Sequence, residues 1–165
     1  MMRITIILLC IATELGCSQR SGRATLAPPP ISDGIPRHMT LLSSDNVEDT
    51  DGNGYRDTIH VSAAIFDRGS RTVEADGTFV FEVHSRGRVT AGEPMYIWRF
   101  EPDQVRDAAA TAAYGRCYRF PLSLQDFGGD ELPIIPAQIT GYYEPISGQT
   151  VRCSNELRPV TLGPV

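Results

Sequence analysis

The sequence contains no lysine, and all 15 of its basic residues are arginine. This absence excludes any mechanism that needs a lysine amine as its nucleophile. The chain also carries 20 acidic residues, which gives a formal net charge of −5 at pH 7. Such a chain lacks the excess positive charge that nucleic-acid binding requires, so no nucleic-acid partner is expected.

Histidines and the common catalytic motifs are scarce. The histidines are scattered at His38, His60 and His84, and all three are predicted to lie at the surface, the last two on outward-facing strand positions. The chain has no nucleophile elbow, zinc-protease helix motif, phosphate-binding loop or dinucleotide fingerprint. These absences favour a protein without catalytic activity.

The longest apolar run lies at the N-terminus, where Arg3 precedes the stretch Ile4 to Ala12. A permanent transmembrane helix needs about 20 apolar residues, so this run is too short to span a bilayer. Its basic start and apolar middle are typical of a secretory signal peptide. Export from the cytoplasm is therefore expected.

The residues Leu15-Gly16-Cys17 resemble the end of a bacterial lipobox. The resemblance to bacterial lipoproteins implies a signal peptide over residues 1–16, cleavage before Cys17 and lipidation of the Cys17 thiol. It also implies a cell-envelope location on a lipid anchor, periplasmic or surface-exposed. Ser18 implies sorting to the outer membrane where the cell has one. The alternative is an ordinary secretory signal with an incidental cysteine at its end.

Residues 17–37 are predicted to form a flexible, lipid-anchored tether. They contain a Pro28-Pro29-Pro30 run, Asp33-Gly34 and Pro36, and they offer few apolar side chains to bury. Such composition is typical of a solvated spacer that is partly stiffened by polyproline geometry. The folded domain is predicted to occupy residues 38–165.

The domain shows a two-residue alternation of apolar and polar side chains, which is typical of half-buried strands. The predicted inward faces are Ile59/Val61/Ala63/Ile65, Phe79/Phe81/Val83, Tyr96/Trp98/Phe100, Tyr118/Phe120/Leu122/Leu124 and Ile139/Gly141/Tyr143. Short strands with regular turn signals predict an all-β fold, namely an antiparallel immunoglobulin-like β-sandwich. A proline and acidic residues at 101–103, followed by the alanine-rich stretch 104–113, predict one short crossing helix.

An Asp-rich loop at residues 49–57 precedes the first long strand. Side chains that carry oxygen stand at the alternate positions Asp49, Asp51 and Asn53. Gly54 is the sixth residue of the loop and Asp57 is the ninth. This spacing curls a chain around a hard cation, and it predicts a calcium site. The alternative is a loop held by Asx-turns alone.

The loop resembles the calcium loops of EF-hand and dockerin modules. The resemblance implies side-chain ligands from Asp49, Asp51, Asn53 and Asp57 and a carbonyl ligand from Tyr55. Position 12 is His60, where an EF-hand has glutamate, so a further ligand must come from elsewhere, with Asp45, Glu48 or Asp67 as candidates. The expected role of calcium is structural.

Cys117 and Cys153 are the two cysteines of the predicted domain. Outside the cytoplasm such a pair is usually oxidised, so a disulfide between them is predicted. The alternative is two unpaired, partly buried thiols.

Two functional classes remain open. The first is a non-catalytic envelope module that binds an unidentified protein or glycan or serves a structural role. The adjacent Tyr142 and Tyr143 must face opposite sides of a strand, which predicts one exposed ring. The second is a small extracytoplasmic enzyme of hydrolase type, whose site is assembled from separate loops.

Overall fold

The computed structural model describes residues 27–43, 47–86, 93–154 and 158–165. The predicted signal peptide, Cys17 and the first part of the tether lie outside the described residues. The strands are β1 His38–Ser43, β2 Tyr55–Arg56, β3 Thr58–Phe66, β4 Thr78–Ser85, β5 Tyr96–Phe100, β6 Ala109–Ala112, β7 Gly115–Ser123, β8 Ile135–Glu144, β9 Val151–Arg152 and β10 Arg158–Pro164. The helices are α1, Pro102–Asp107, and a 3-10 turn, Leu124–Phe127.

The strands form two antiparallel sheets. Sheet 1 has the order β1-β3-β7-β6, and sheet 2 has the order β2-β10-β8-β4-β5, with β9 also pairing with β8. The short helix α1 connects β5 in sheet 2 to β6 in sheet 1. The predicted all-β fold, an antiparallel sandwich with one short crossing helix, is confirmed.

The core lies between the two sheets and is rich in aromatic rings. Phe79 is at its centre, with its ring centroid 5.0 Å from that of Tyr143 and 5.3 Å from those of Tyr118 and Phe120. These rings are fully buried because the alternating apolar residues of β4, β7 and β8 all face inward. The faces predicted from the two-residue period are thus the faces that pack together.

Helix α1 is shorter than the alanine-rich stretch predicted. It begins with a capping box between Glu101 and Gln104 and buries Val105. The helix ends at Asp107, and Ala109–Ala112 instead pair with β7 as an edge strand. Sheet pairing overrides the helical propensity of alanine here, which is a weak determinant over so few residues.

The ordered contacts begin before His38, the predicted start of the domain. Ser32 is buried, its amide donates to the Thr72 carbonyl, and its hydroxyl donates to Asp67. The Arg37 amide donates to the carbonyl of Phe66 at the end of β3. The later residues of the predicted tether therefore pack against the sandwich.

The predicted disulfide between Cys117 and Cys153 is not present. Cys153 lies beside β1, where it bridges to Met39, whereas Cys117 lies on β7. Strands β1 and β3 separate the two positions, which corresponds to about 14 Å at the usual strand spacing. A disulfide requires Cα atoms within about 7 Å of each other, so the topology keeps these thiols apart.

Candidate metal centre

The Asp-rich loop lies at one end of the sandwich, where it joins segments of both sheets. The Val165 amide donates to the Gly54 carbonyl, and β2 pairs with β10 of sheet 2. The Leu124 amide, at the end of β7 in sheet 1, donates to the Asp57 carbonyl. A change in the loop is therefore transmitted to both layers.

Asp57 is the hydrogen-bonding centre of the loop, and its residue is fully buried. The Thr50 amide donates to its Oδ2 at 2.8 Å, the Thr50 hydroxyl contacts both carboxylate oxygens at 2.8 Å, and the Thr58 hydroxyl donates to its Oδ1 at 2.5 Å. Burial acts to raise the pKa of Asp57, but these donors outweigh it and hold the pKa below its ordinary value. Asp57 is therefore an ionised anchor that closes the loop.

Asp49 and Asp51 face the outer part of the loop. Oδ1 of Asp49 accepts from the Gly52 amide at 2.7 Å, and its Oδ2 accepts from the Gly54 amide at 2.9 Å. Asp51 is exposed and accepts from Gln125 Nε2 at 2.9 Å. One carboxylate oxygen from each of Asp49, Asp51 and Asp57 lies within 4.8 Å of the others. The structure thus brings together all three carboxylates that the spacing assigned to the site.

Asp130 is a fourth carboxylate at this place, and the sequence interpretation did not include it. The turn Gly128-Gly129 has positive φ angles of 98° and 140° and precedes this buried aspartate. Asn53 Nδ2 lies 3.2 Å from Asp130 Oδ2 and 3.2 Å from Asp51 Oδ2. The amide nitrogen of Asn53 therefore bridges two carboxylates, in the position that a cation favours.

The negative charge of this centre has no arginine partner in the described part of the chain. None of the ion pairs among the described residues includes Asp49, Asp51, Asp57 or Asp130. Arg56, which follows the loop, donates to the Pro164 carbonyl instead. Carboxylates this close repel one another, and a divalent cation would relieve that repulsion.

Of the proposed further ligands, Asp67 lies far from the loop carboxylates, and Glu48 is engaged by a histidine. Asp67 follows β3, whereas the loop precedes it, so a nine-residue strand, about 30 Å long, separates them. The side chain of Glu48 pairs with His60, with an oxygen–nitrogen distance of 3.0 Å. Asp45 lies outside the described residues. Asp67 is thus wrong as a ligand, whereas Asp130 contacts Asn53 of the loop.

The donor set matches the preference of Ca²⁺, a hard cation that takes six to eight oxygen ligands. The carboxylates of Asp49, Asp51 and Asp57 converge, and the carboxylate of Asp130 contacts Asn53 of the same loop. Tyr55, the predicted carbonyl ligand, is the first residue of β2 and lies in register with Pro164 of β10. Asn53 presents its nitrogen to the carboxylates and its Oδ1 to the Tyr55 amide, so its side-chain amide must rotate to ligate through oxygen.

Asp67 organises the opposite end of β3. It accepts from the Ser32 hydroxyl at 2.6 Å and from the Gly69 and Arg71 amides at 2.8 and 2.9 Å. These bonds, led by that from Ser32, lower the pKa of Asp67 from 3.8 to about 2. Its role is to fasten the N-terminal segment to the turn after β3.

Acid is expected to weaken this end of the domain. Because the folded-state pKa of Asp67 is lower than its unfolded value, its stabilising effect is complete above about pH 4 and is lost as the pH falls towards about 2. The melting temperature of the wild type should therefore fall more steeply across this range than that of Asp67→Asn, as measured by circular dichroism. Parallel curves for the two proteins would contradict this assignment.

The histidines occupy three different environments. His60 is exposed on β3 and pairs with Glu48, and His38 is exposed at the start of β1. His84 is buried, in contrast to the predicted surface position. Its Nε2 lies 3.2 Å from Glu82, and its Nδ1 has no hydrogen-bond partner among the residues that the structure describes. Their positions on separate strands do not bring them together with the loop carboxylates.

The two adjacent tyrosines of β8 face opposite sides, as predicted. Tyr143 is buried, and its hydroxyl donates to Asp76 Oδ1 and accepts from the Asp76 and Gly77 amides. Burial, together with the bond to Asp76, raises the pKa of Tyr143. Tyr142 lies on the outer face of sheet 2, where the guanidinium of Arg152 is 5.2 Å from its ring centroid.

Comparisons with models of known protein families, with curated proteins and with solved structures found no match to this chain. Within the described ranges, no helix has the length and apolar character needed to cross a membrane.

Proposed function

We propose that this chain is a lipid-anchored, extracytoplasmic β-sandwich module that acts without catalysis, in binding or as a structural part of the cell envelope, and that calcium stabilises it. One observation supports the calcium proposal: Asp49, Asp51 and Asp57 converge, with one carboxylate oxygen from each within 4.8 Å of the others. The buried Asp130 adds to it, because it brings a carboxylate from a distant segment to the same loop.

The proposed cation has a structural role. Its ligands come from the loop before β3 and from the segment after the 3-10 turn, and the loop also contacts the C-terminal end of β10. A bound ion would therefore fix the relative positions of both sheets at this end of the sandwich. Exposure of Asp51 and Asn53 to water favours weak binding, with a dissociation constant on the order of 10⁻⁴ M, as in other extracellular modules.

Calcium is expected to raise the melting temperature of the domain. At about 1 mM calcium and a dissociation constant of about 10⁻⁴ M, binding to the native state adds about 1.4 kcal/mol of stability, or a few degrees. Thermal unfolding should show this shift in calcium relative to chelator, and Asp51→Ala should abolish it.

Asp103→Ala is the matched control, because Asp103 is an exposed aspartate on α1 whose contact is a surface ion pair with Arg106. This variant should keep the full calcium shift. Equal melting temperatures of the wild type in calcium and chelator would contradict the calcium proposal.

The lipid anchor is proposed from the lipobox-like residues, which lie outside the described part of the chain. Cys17 would carry the acyl chains, and the several chains together would supply the stable anchoring that one chain does not. Cys17→Ser is expected to move the protein from the membrane fraction to the soluble fraction and to block palmitate labelling. Membrane retention of this variant, with no label in the wild type, would contradict the anchor.

The proposed partner is a protein or glycan that contacts the outer face of sheet 2. This face presents the partly exposed Tyr142 and the exposed Ile97, whose side chain is 48% accessible. Aromatic rings and apolar side chains on an exposed face are common contacts for either class of partner.

A further inference from the structure

Asn53 is the only asparagine in the chain that glycine follows. The other two, Asn46 and Asn155, precede Val47 and Glu156. A glycine at this place leaves the backbone amide nitrogen open to attack the asparagine side chain, because no Cβ shields it. Among the asparagines, Asn53 is therefore the one whose side-chain cyclisation meets the least steric resistance.

A hydrogen bond to the side-chain carbonyl of Asn53 favours such an attack. Its Oδ1 accepts from the Tyr55 amide at 2.8 Å. An asparagine bonded to the amide two residues on is folded over the intervening peptide, so Cγ of Asn53 is held on the side of the Gly54 nitrogen. The same hydrogen bond polarises the carbonyl and stabilises the negative charge that develops on its oxygen during attack.

The attacking nitrogen also has a base in place. The Gly54 N–H donates to Asp49 Oδ2 at 2.9 Å, within the range over which a general base removes a proton. Gly54 has φ of +88°, and a Cβ placed on it would meet no atom within 4 Å. The space beside the Gly54 Cα is therefore open.

The leaving group faces carboxylates and water. Asn53 Nδ2 lies 3.2 Å from oxygens of both Asp51 and Asp130, and Asn53 itself is exposed. Water can thus reach the site both to protonate the departing nitrogen and to hydrolyse the product of cyclisation.

We infer that the folded loop deamidates Asn53 through its own groups, with Asp49 as the base. The Gly54 nitrogen forms a bond to Cγ of Asn53 and transfers its proton to Asp49, the Cγ–Nδ2 bond breaks, and the nitrogen departs as ammonia after taking a proton from water. The resulting succinimide consumes one water molecule and opens to aspartate or isoaspartate. No oxidant, metal or enzyme is required, and the inference does not depend on calcium binding.

The test compares the native protein with the same chain unfolded in urea, both incubated with chelator in mildly alkaline buffer. Peptide mapping by mass spectrometry measures the conversion of residue 53, with Asn46 and Asn155 as internal controls. The expected result is conversion at Asn53 several-fold faster in the native chain than in the unfolded chain, and little at the two controls.

Asp49→Asn separates the base from the loop geometry, because asparagine keeps an acceptor oxygen but is not basic. Circular dichroism verifies that the variant is folded. Asp49→Asn should slow the conversion of Asn53 in the native chain several-fold and leave the conversion rate in the unfolded chain unchanged. A native rate no faster than the unfolded rate, or a native rate that this variant leaves unchanged, would overturn the inference.

Discussion

Replacing Asp57 with alanine is expected to lower the free energy of unfolding by about 3 kcal/mol or more, even with calcium chelated. The carboxylate is buried and accepts from the hydroxyls of Thr50 and Thr58 and from two loop amides. Alanine would leave these donors without their acceptor at the junction between β3 and the end of β7. Urea unfolding in chelator measures the loss.

Asp51→Ala is the matched comparison for Asp57→Ala, because Asp51 belongs to the same loop but is exposed. In chelator it should cost less than about 1 kcal/mol, since solvent replaces the hydrogen bonds of an exposed carboxylate. Equal losses for the two variants would show that Asp57 is not the anchor of the loop.

Phe79→Ala is expected to reduce stability by about 3 to 5 kcal/mol, through lost burial and the cavity that remains. The ring of Phe79 is inaccessible to solvent and contacts rings from β4, β7 and β8, so neighbouring strands of both sheets limit any collapse into the cavity. The melting temperature should fall by about 10 °C or more.

Phe127→Ala serves as the control for loss of a phenyl ring. Phe127 packs on Tyr96 and Trp98 but remains 45% exposed. Its loss should cost about 1 kcal/mol, since much of its surface is already in water. Similar costs for Phe79→Ala and Phe127→Ala would contradict the placement of the core.

The strands could be predicted from the sequence because large apolar side chains recur at every second position. Phe79, Phe81 and Val83 stand at every second position of β4, and this period identifies the face that packs in the core. Strand β6 was not predicted, because Ala109–Ala112 have helical propensity and the pairing with β7 is a tertiary effect. His84 shows the same limit, since its position in the strand indicated exposure but did not reveal its burial.

The candidate site could be predicted only as far as it is local. Asp49, Asp51, Asn53 and Asp57 lie within one loop, so their spacing determines how they converge. Asp130 is far from the loop in sequence. Its position beside the loop depends on the 3-10 turn and on two glycines with positive φ. Asp57 anchors the loop, whereas Asp49 and Asp51 lie in its outer part. This difference depends on hydrogen bonds that the spacing does not reveal.

Calorimetric titration of the chelator-treated protein with calcium tests the central claim most directly. We predict saturable binding to one site, with a dissociation constant on the order of 10⁻⁴ M. The double variant Asp49→Asn/Asp51→Asn should lose this binding while keeping the buried Asp57 and the fold. The absence of saturable heat in the wild type, or equal binding by the double variant, would contradict the account.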